Sequence, residues 1–194
     1  MTTEYILPTF GLSENHLAAI GSVCLSWAMA EQSINFMICN FIPIDDMKGK
    51  NVFCGHIDMK HKIELAKYFS RLRITDHSKF KITETFLSRL SDFGPERNRV
   101  AHDVWVVGAH PPERLQLKPS IKKPAAEPPI LQTISEVSMS DNDIRKTAQD
   151  IQSLSMAVTT ISFFYLRDQK DGLTPWPDIS HLLPEKPNHP KRGS

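Results

Sequence analysis

The sequence predicts an all-α protein: an up-and-down bundle of four main helices with a small β-strand insertion before the last helix. Apolar residues recur at steps of three and four through four separate segments, which is the spacing of one buried helix face. Between the third and fourth segments the apolar residues alternate instead, as they do in strands. With 194 residues and 40% apolar content, the chain is long enough to bury one ordinary core.

The first helix is predicted to follow Ser13, whose side chain can cap a helix N-terminus, and to end at Pro43. Glu31 is the one charged member of its apolar seam, and a buried carboxylate needs a partner. We therefore expect Glu31 to pair with Arg97 or Arg99; alternatively, it lies at the edge of the seam and reaches solvent. The other seam residues are Leu17, Ile20, Cys24, Trp27, Ile34, Ile38 and Phe41.

Two further helices are predicted over about 57–72 and 78–93. Gly94 and Pro95 then predict a break, because proline is disfavoured inside helices and favoured in a first turn. This break would place Arg97 near the N-terminus of a separate helix, where a cation is unfavourable unless an anion accompanies it. The predicted inward-facing residues of the two helices are Met59, Ile63, Ala66, Phe69, Phe80, Ile82, Phe86, Leu87, Leu90 and Phe93.

The β insertion is predicted over about 104–138, with short strands at Val104–Val107, Arg114–Lys118 and Leu131–Val137. Ser140 then caps a last long helix that runs to about Arg167.

The chain after Asp171 is rich in proline, which is typical of extended or disordered segments. We therefore expect a single helical domain over 1–171 and a Pro-rich, extended or disordered tail over 172–194.

Composition argues against several classes of protein. Cys24, Cys39 and Cys54 are odd in number and contain no C-x-x-C pair, so we expect neither a disulfide framework nor a zinc site. The sequence has no Gly-rich phosphate loop, and we expect no metal and no cofactor. No apolar run approaches the roughly 20 residues that span a bilayer, and the first residues do not resemble a signal peptide. These features predict a cytoplasmic protein that does not engage a membrane.

Charge is distributed unevenly along the chain, although the formal net charge is only +1. Residues 1–56 carry two Lys or Arg against five Asp or Glu, whereas residues 57–102 carry ten against six. A basic middle third is compatible with a polyanionic ligand, and it is equally compatible with ordinary solvated helix faces.

The segment Arg97-Asn98-Arg99-Val100-Ala101-His102 places two arginines, an amide and a histidine within two helical turns. Histidine can take and give a proton near neutral pH, and arginine offers a fixed fork for phosphate. On an ideal helix Asn98 and His102 share a face with Arg99, whereas Arg97 lies roughly 140° from His102. Arg97 can therefore meet His102 by reaching round the helix, from a distorted first turn, or in a second subunit.

The pattern R-N-x-x-x-H resembles the R-x-x-x-x-H signature of HEPN domains, and residues 27–34 are similar to the first helix of related bacterial proteins. The resemblance implies a small all-helical homodimer that cleaves RNA without metal, through a composite site between the motif helices of two protomers. It implies Arg97, Asn98 and His102 as catalytic residues. Glu31 and Arg99 are assigned as supporting residues from the apolar seam and the helix spacing alone. A toxin or phage-defence effector, with an antitoxin or other protein partner, would fit this family.

One position departs from HEPN toxins that are paired with nucleotidyltransferase antitoxins. Those toxins have a tyrosine two residues after the histidine, and this chain has Val104. Some HEPN domains are not catalytic, so the alternative is a helical dimer that binds RNA, a nucleotide or a protein partner. A third interpretation is that the motif is purely structural. In that case Arg97 bonds helix carbonyls, Asn98 caps the break and His102 is a core histidine.

Overall fold

A computed structural model gives the fold of residues 12–42, 54–102, 104–106, 113–119, 131–171 and 175–187. Within these ranges, four long helices pack as a bundle around one apolar core. The all-α bundle that the sequence predicts is therefore confirmed. The helices are α1 (Glu14–Phe41), α2 (Met59–Arg73), α3 (His77–His102) and α4 (Asp141–Asp171).

All four helices begin at a side chain that accepts hydrogen bonds from the first turn; for α3 it is Asp76, whose Oδ1 accepts from the backbone N–H of Ser78 and Lys79. Ser13 Oγ accepts from the backbone N–H of His16 at 3.2 Å, as predicted for the start of α1. Asp58 and Ser140 cap α2 and α4 in the same way. Such caps satisfy backbone donors that have no partner within the helix, so they fix where each helix starts.

In the first half of α1 the buried face is rotated from the predicted seam, whereas Ile34, Ile38 and Phe41 are buried as predicted. Leu17 and Cys24 are exposed, whereas Ala19, Val23 and Ala30 are fully buried. Small residues on this face let α4 approach closely, so the helix buries alanine and serine where the prediction placed larger apolar side chains.

A hydrogen-bonded cluster of hydroxyls crosses the contact between α1 and α4. Ser33 Oγ lies 2.8 Å from Ser155 Oγ, accepts from Thr159 Oγ1 at 2.9 Å and contacts the carbonyl of Met29 at 3.1 Å. Because buried hydroxyls need partners, this cluster favours one register of the two helices.

The bundle is not up-and-down, and this part of the prediction is wrong. Ser33 lies against Ser155, and eight residues later on α1 the ring of Phe41 lies 4.5 Å from that of Tyr165, so α1 and α4 run parallel. Lys79 at the start of α3 pairs with Asp168 at the end of α4, so α3 runs the opposite way.

Helix α2 is also parallel to α1. The start of α2 shares a cleft with Trp27, and Lys62, further along α2, pairs with Glu31, further along α1. Residues 42–58 separate α1 from α2 and residues 103–140 separate α3 from α4, and both separations are long enough to join parallel helices. The short connection between α2 and α3 instead forces those two helices into an antiparallel hairpin.

Helix α3 continues through Gly94 and Pro95, so the predicted break does not occur. Proline disfavours helical conformation in the residue before it partly through a clash with that residue's Cβ, which glycine lacks. Phe93 and Val100 are both buried and anchor the helix on either side of Pro95, which is itself exposed. Arg97 consequently lies in the second half of a long helix and not near an N-terminus.

The backbone between α3 and α4 forms three strands, β1 (Val104–Val106), β2 (Glu113–Pro119) and β3 (Leu131–Ser138). The sheet order is β1-β2-β3, both pairs are antiparallel, and the register shifts between Leu115 and Leu117. The small β insertion before the last helix stays a prediction, as does the division of the chain into a domain and a tail.

Part of the predicted tail is described, and it lies on the bundle. Residues 175–187 contain one short 3₁₀ turn, Ser180–Leu182. Ile179 is buried in the core, and Arg89 of α3 donates a hydrogen bond to the carbonyl of Pro184. The remainder of the tail lies outside the described residues.

Among the described helices, α1 is long and apolar enough to cross a membrane when judged by length and composition alone. Its most apolar window has a mean hydropathy of 1.2, and 33% of that window is buried. The core helix of a soluble protein passes the same test, so α1 carries no conclusion about cellular location.

Candidate functional site

Arg97, Asn98 and His102 meet within one protomer. Arg97 Nη1 lies 3.0 Å from Asn98 Oδ1 and 3.2 Å from His102 Nε2. A guanidinium has donors only, so Arg97 donates both hydrogen bonds. His102 therefore accepts at Nε2, which requires a neutral ring with its proton on Nδ1. Of the three routes by which Arg97 could meet His102, the structure has the one in which the arginine reaches round the helix.

The three side chains differ in how accessible they are. Asn98 and His102 are exposed, and Arg97 is half-buried. Arg97 Nε is buried and has no hydrogen-bond partner among the described residues. An unpaired buried donor costs about 1–3 kcal/mol, so a guanidinium that turned onto an anionic ligand would gain a contact that it lacks here.

Arg99 does not join this group in the way the sequence suggested. Its Nη1 atom lies 3.4 Å from Glu96 Oε2, one helical turn earlier, and Glu96 is buried. The ion pair holds Arg99 along the surface of α3.

Glu31 pairs with a residue that the sequence did not indicate. Its Oε1 atom accepts from Lys62 Nζ at 2.6 Å, so the expected bond to Arg97 or Arg99 is wrong. Because α2 runs parallel to α1, Lys62 lies beside the predicted apolar seam of α1. The ammonium of Lys62 is almost fully buried, with 3% of its side chain exposed, whereas Glu31 is 37% exposed. Glu31 is therefore the countercharge of a buried lysine.

Replacing Glu31 with glutamine is expected to lower the free energy of unfolding by about 2 kcal/mol, because it leaves a buried ammonium without its countercharge. The loss is smaller than the roughly 3–5 kcal/mol of a fully buried pair, since Glu31 partly faces water. Urea unfolding measures the difference. The double variant Glu31→Gln, Lys62→Met should recover most of the loss, because an apolar side chain needs no countercharge. Equal stability of the parent and Glu31→Gln would contradict this role.

A cleft of about 750 Å³ opens between α1, α2 and α3 beside the motif. Arg97 and Asn98 lie on its α3 wall, and Asp58 and Lys60 lie on its α2 wall. Trp27 of α1 contributes an apolar surface, and a Cβ placed on Gly94 would meet that ring at 3.6 Å. The cleft has the size of a small-molecule site, with an apolar ring and a few polar groups around it.

Neither polar residue of the α2 wall, Asp58 or Lys60, was predicted from the sequence to belong to this site. The spacing Asp58-x-x-His61 at the start of an apolar periodic run is a readable helix-start signal. Its position opposite Arg97 depends on the path of the chain between α1 and α2, which no local pattern reveals. Trp27 was assigned to the core, and in the structure it is half-buried at the cleft.

Asp58 carries a negative charge at the N-terminus of α2. Hydrogen bonds from the backbone N–H and then the ring of His61 hold the pKa of Asp58 below its ordinary value of 3.8. Because the pKa is depressed in the folded state, this carboxylate stabilises the fold above the unfolded pKa. That contribution is lost as the pH falls through the folded pKa.

No protein-family model, curated protein or solved structure matches this chain. Within the described ranges, no three His, Cys, Asp or Glu side chains are grouped so that they could hold a metal ion. The resemblance to HEPN domains therefore depends on the motif residues and their geometry.

Proposed function

We propose that this chain is a metal-independent endoribonuclease of the HEPN type. The observation that carries the proposal is the pairing of Arg97 with His102 at 3.2 Å, on the surface of α3 beside a ligand-sized cleft. The pair combines a group that binds phosphate with a group that transfers protons at neutral pH.

The proposed reaction begins when a phosphodiester draws Arg97 away from His102. The guanidinium then stabilises the charge that develops on the phosphate oxygens, assisted by the amide of Asn98. His102 Nε2, freed from Arg97, takes the proton of the ribose 2'-hydroxyl. The 2'-oxygen attacks phosphorus and the bond to the 5'-oxygen breaks. The leaving oxygen takes a proton, either from water or from His102, which has just gained one, and the products are a 2',3'-cyclic phosphate and a 5'-hydroxyl.

The proposed active form is a homodimer in which the motif surfaces of two protomers form one composite site. The exposure of His102 and Asn98 in the single protomer supports this arrangement, because a partner can reach both side chains. The β insertion over about 104–138 is proposed as part of the same unit: Trp105 Nε1 donates to the carbonyl of Val100, within the motif, at 3.3 Å. A toxin or defence role in the cytoplasm, with a protein partner, belongs to this proposal.

The requirement for a 2'-hydroxyl tests the proposed reaction. Purified protein is incubated in EDTA with an RNA and with a 2'-fluoro oligonucleotide of the same sequence, and products are separated on a gel. Cleavage of the RNA alone is expected, because fluorine cannot act as the nucleophile. Cleavage of both would contradict attack by the 2'-oxygen.

The second candidate is a non-catalytic helical dimer that binds RNA, a nucleotide or a protein partner. The donation from Arg97 to His102 Nε2 favours it, because the nitrogen that would accept the proton is already occupied. Binding of the RNA without any turnover would identify this candidate.

A further inference from the structure

The cleft beside the motif has an aromatic wall. The ring of Trp27 lines it from α1 and is half-buried, so part of the ring stays accessible. A Cβ on Gly94 would lie 3.6 Å from Cη2 of this ring, so α3 has no side chain between its backbone and the indole at that point. Met59 and Ile63 complete the apolar lining from α2. An indole with apolar neighbours can stack a planar ring of a ligand.

Hydrogen-bonding side chains line the remainder of the same cleft. Asp58 and Lys60 lie on α2, and Ser91 and Asn98 lie on α3. A carboxylate only accepts hydrogen bonds, an ammonium only donates them, and a hydroxyl or an amide does both. The edge of every nucleobase carries donors beside acceptors, so this set of groups can pair with a base that is stacked on an aromatic side chain.

Arg97 joins this cleft to the motif. It lines the cleft on α3, and its Nη1 atom donates to Asn98 and His102. Its buried Nε atom has no hydrogen-bond partner among the described residues. Within the described part of the chain, the charged groups that line the cleft are Asp58, Lys60 and Arg97, which are two cations and one anion. A ligand with a planar ring and a phosphate fits this combination of groups.

We propose that the cleft binds one nucleobase of the RNA, stacked on Trp27, while the phosphate of the same nucleotide contacts Arg97. The assignment rests on the proposed endoribonuclease, and it names the part of the substrate that the cleft holds. His102 does not line the cleft and is joined to it through Arg97, so the base is bound apart from the group that transfers protons.

A base held in the cleft would determine which phosphodiester reaches Arg97 and His102, because binding of a non-reacting part of the substrate positions the reacting part. An RNA that lacks this one base, with an abasic ribose in its place, should be cleaved with a kcat/KM about 10- to 100-fold lower, the usual effect of losing one base–aromatic stack. The loss should occur at one position relative to the cleaved bond and not at the positions beside it.

Nucleotide binding measures the site without any cleavage. Calorimetric titration in EDTA compares each nucleoside 5'-monophosphate with ribose 5-phosphate, which has the phosphate and no base. At least one nucleotide should bind about tenfold or more tightly than ribose 5-phosphate. Trp27→Leu should remove this difference, whereas Trp27→Phe should keep part of it, because phenylalanine also stacks. Arg97→Ala should weaken the binding of both ligands, because both carry the phosphate.

A second variant tests the cleft without removing a core contact, since Trp27 also packs against the core. Ser91→Leu adds a larger side chain to the wall of the cleft and should weaken nucleotide binding about tenfold or more. Ser88→Leu is the matched control, because it makes the same change three residues earlier on α3 at a position that does not line the cleft, and it should bind as the parent does. Thermal unfolding shows that the compared variants are folded.

Three results would overturn the base site: nucleotides that bind no more tightly than ribose 5-phosphate, folded Trp27→Leu and Ser91→Leu variants that keep the parent affinity for nucleotide, or abasic RNAs that are cleaved at the parent rate at every position. A protein that gives one of these results and still cleaves RNA would remain an endoribonuclease without this base site. A protein that binds nucleotides through Trp27 but cleaves no RNA would instead overturn the endoribonuclease and keep the base site.

Discussion

Replacing Arg97 with alanine is expected to slow RNA cleavage about 100- to 1,000-fold, which is the usual effect of removing one preorganised donor to the transition state. Arg97 is the arginine of the motif that donates to both Asn98 and His102. Its removal deletes the group that would stabilise the charged phosphate oxygens. The loss should fall on kcat more than on KM, because the charge is largest in the transition state.

The variant Arg97→Lys tests whether a positive charge alone is enough at this position. Arg97→Lys keeps the positive charge but lacks the planar fork, so it should recover only part of the rate. Arg71→Gln is the control for loss of a cation, since Arg71 is exposed at the far end of α2. Single-turnover cleavage with excess protein gives the rate constants. Equal rates for the parent and Arg97→Ala would remove Arg97 from the mechanism.

His102→Ala is expected to slow cleavage about 100- to 10,000-fold, the range for loss of a general base or acid. Because His102 is exposed, this substitution should change the free energy of unfolding of the protein by no more than about 0.5 kcal/mol. The variant should also lose the acidic limb of the pH profile, on which the base is protonated.

Thermal unfolding shows whether His102→Ala cleaves slowly because it is unfolded. The control variant is His181→Ala, which changes an exposed histidine in the segment after α4. A His102→Ala protein that is folded and retains the acidic limb would show that another group is the base.

The helix starts could be predicted because their causes are local. Ser13 and Ser140 each bond to a backbone N–H three residues later, so a short stretch of sequence contains both partners. The face that α1 buries could not be predicted in the same way. Near the start of α1, Ala19 and Val23 are buried and Leu17 is exposed, although apolar spacing alone favours burial of the larger Leu17.

Pro95 is a second position at which the local sequence does not predict the structure. The residue alone predicts a helix break, but buried Phe93 and Val100 hold the helix on both sides of it. Tertiary packing therefore overrides the local preference, and only the neighbouring helices determine how much packing there is.

The candidate site also has one part that the sequence predicts and one part that it does not. Arg97, Asn98 and His102 are close in sequence, and the structure brings them together at hydrogen-bond distance on one helix. The partner of Glu31 and the α2 wall of the cleft depend instead on α2 running parallel to α1. A bundle with up-and-down helices would have placed different residues beside Glu31 and Arg97.

The most direct test of the proposed endoribonuclease is the identity of the RNA ends that the purified protein leaves in EDTA. The parent and His102→Ala are first shown to be folded and to have the same oligomeric state, and the products are then resolved by mass spectrometry. We expect 2',3'-cyclic phosphate and 5'-hydroxyl ends from the parent and almost none from His102→Ala. Equal amounts of cleavage by both proteins, or 5'-phosphate ends from the parent, would contradict it.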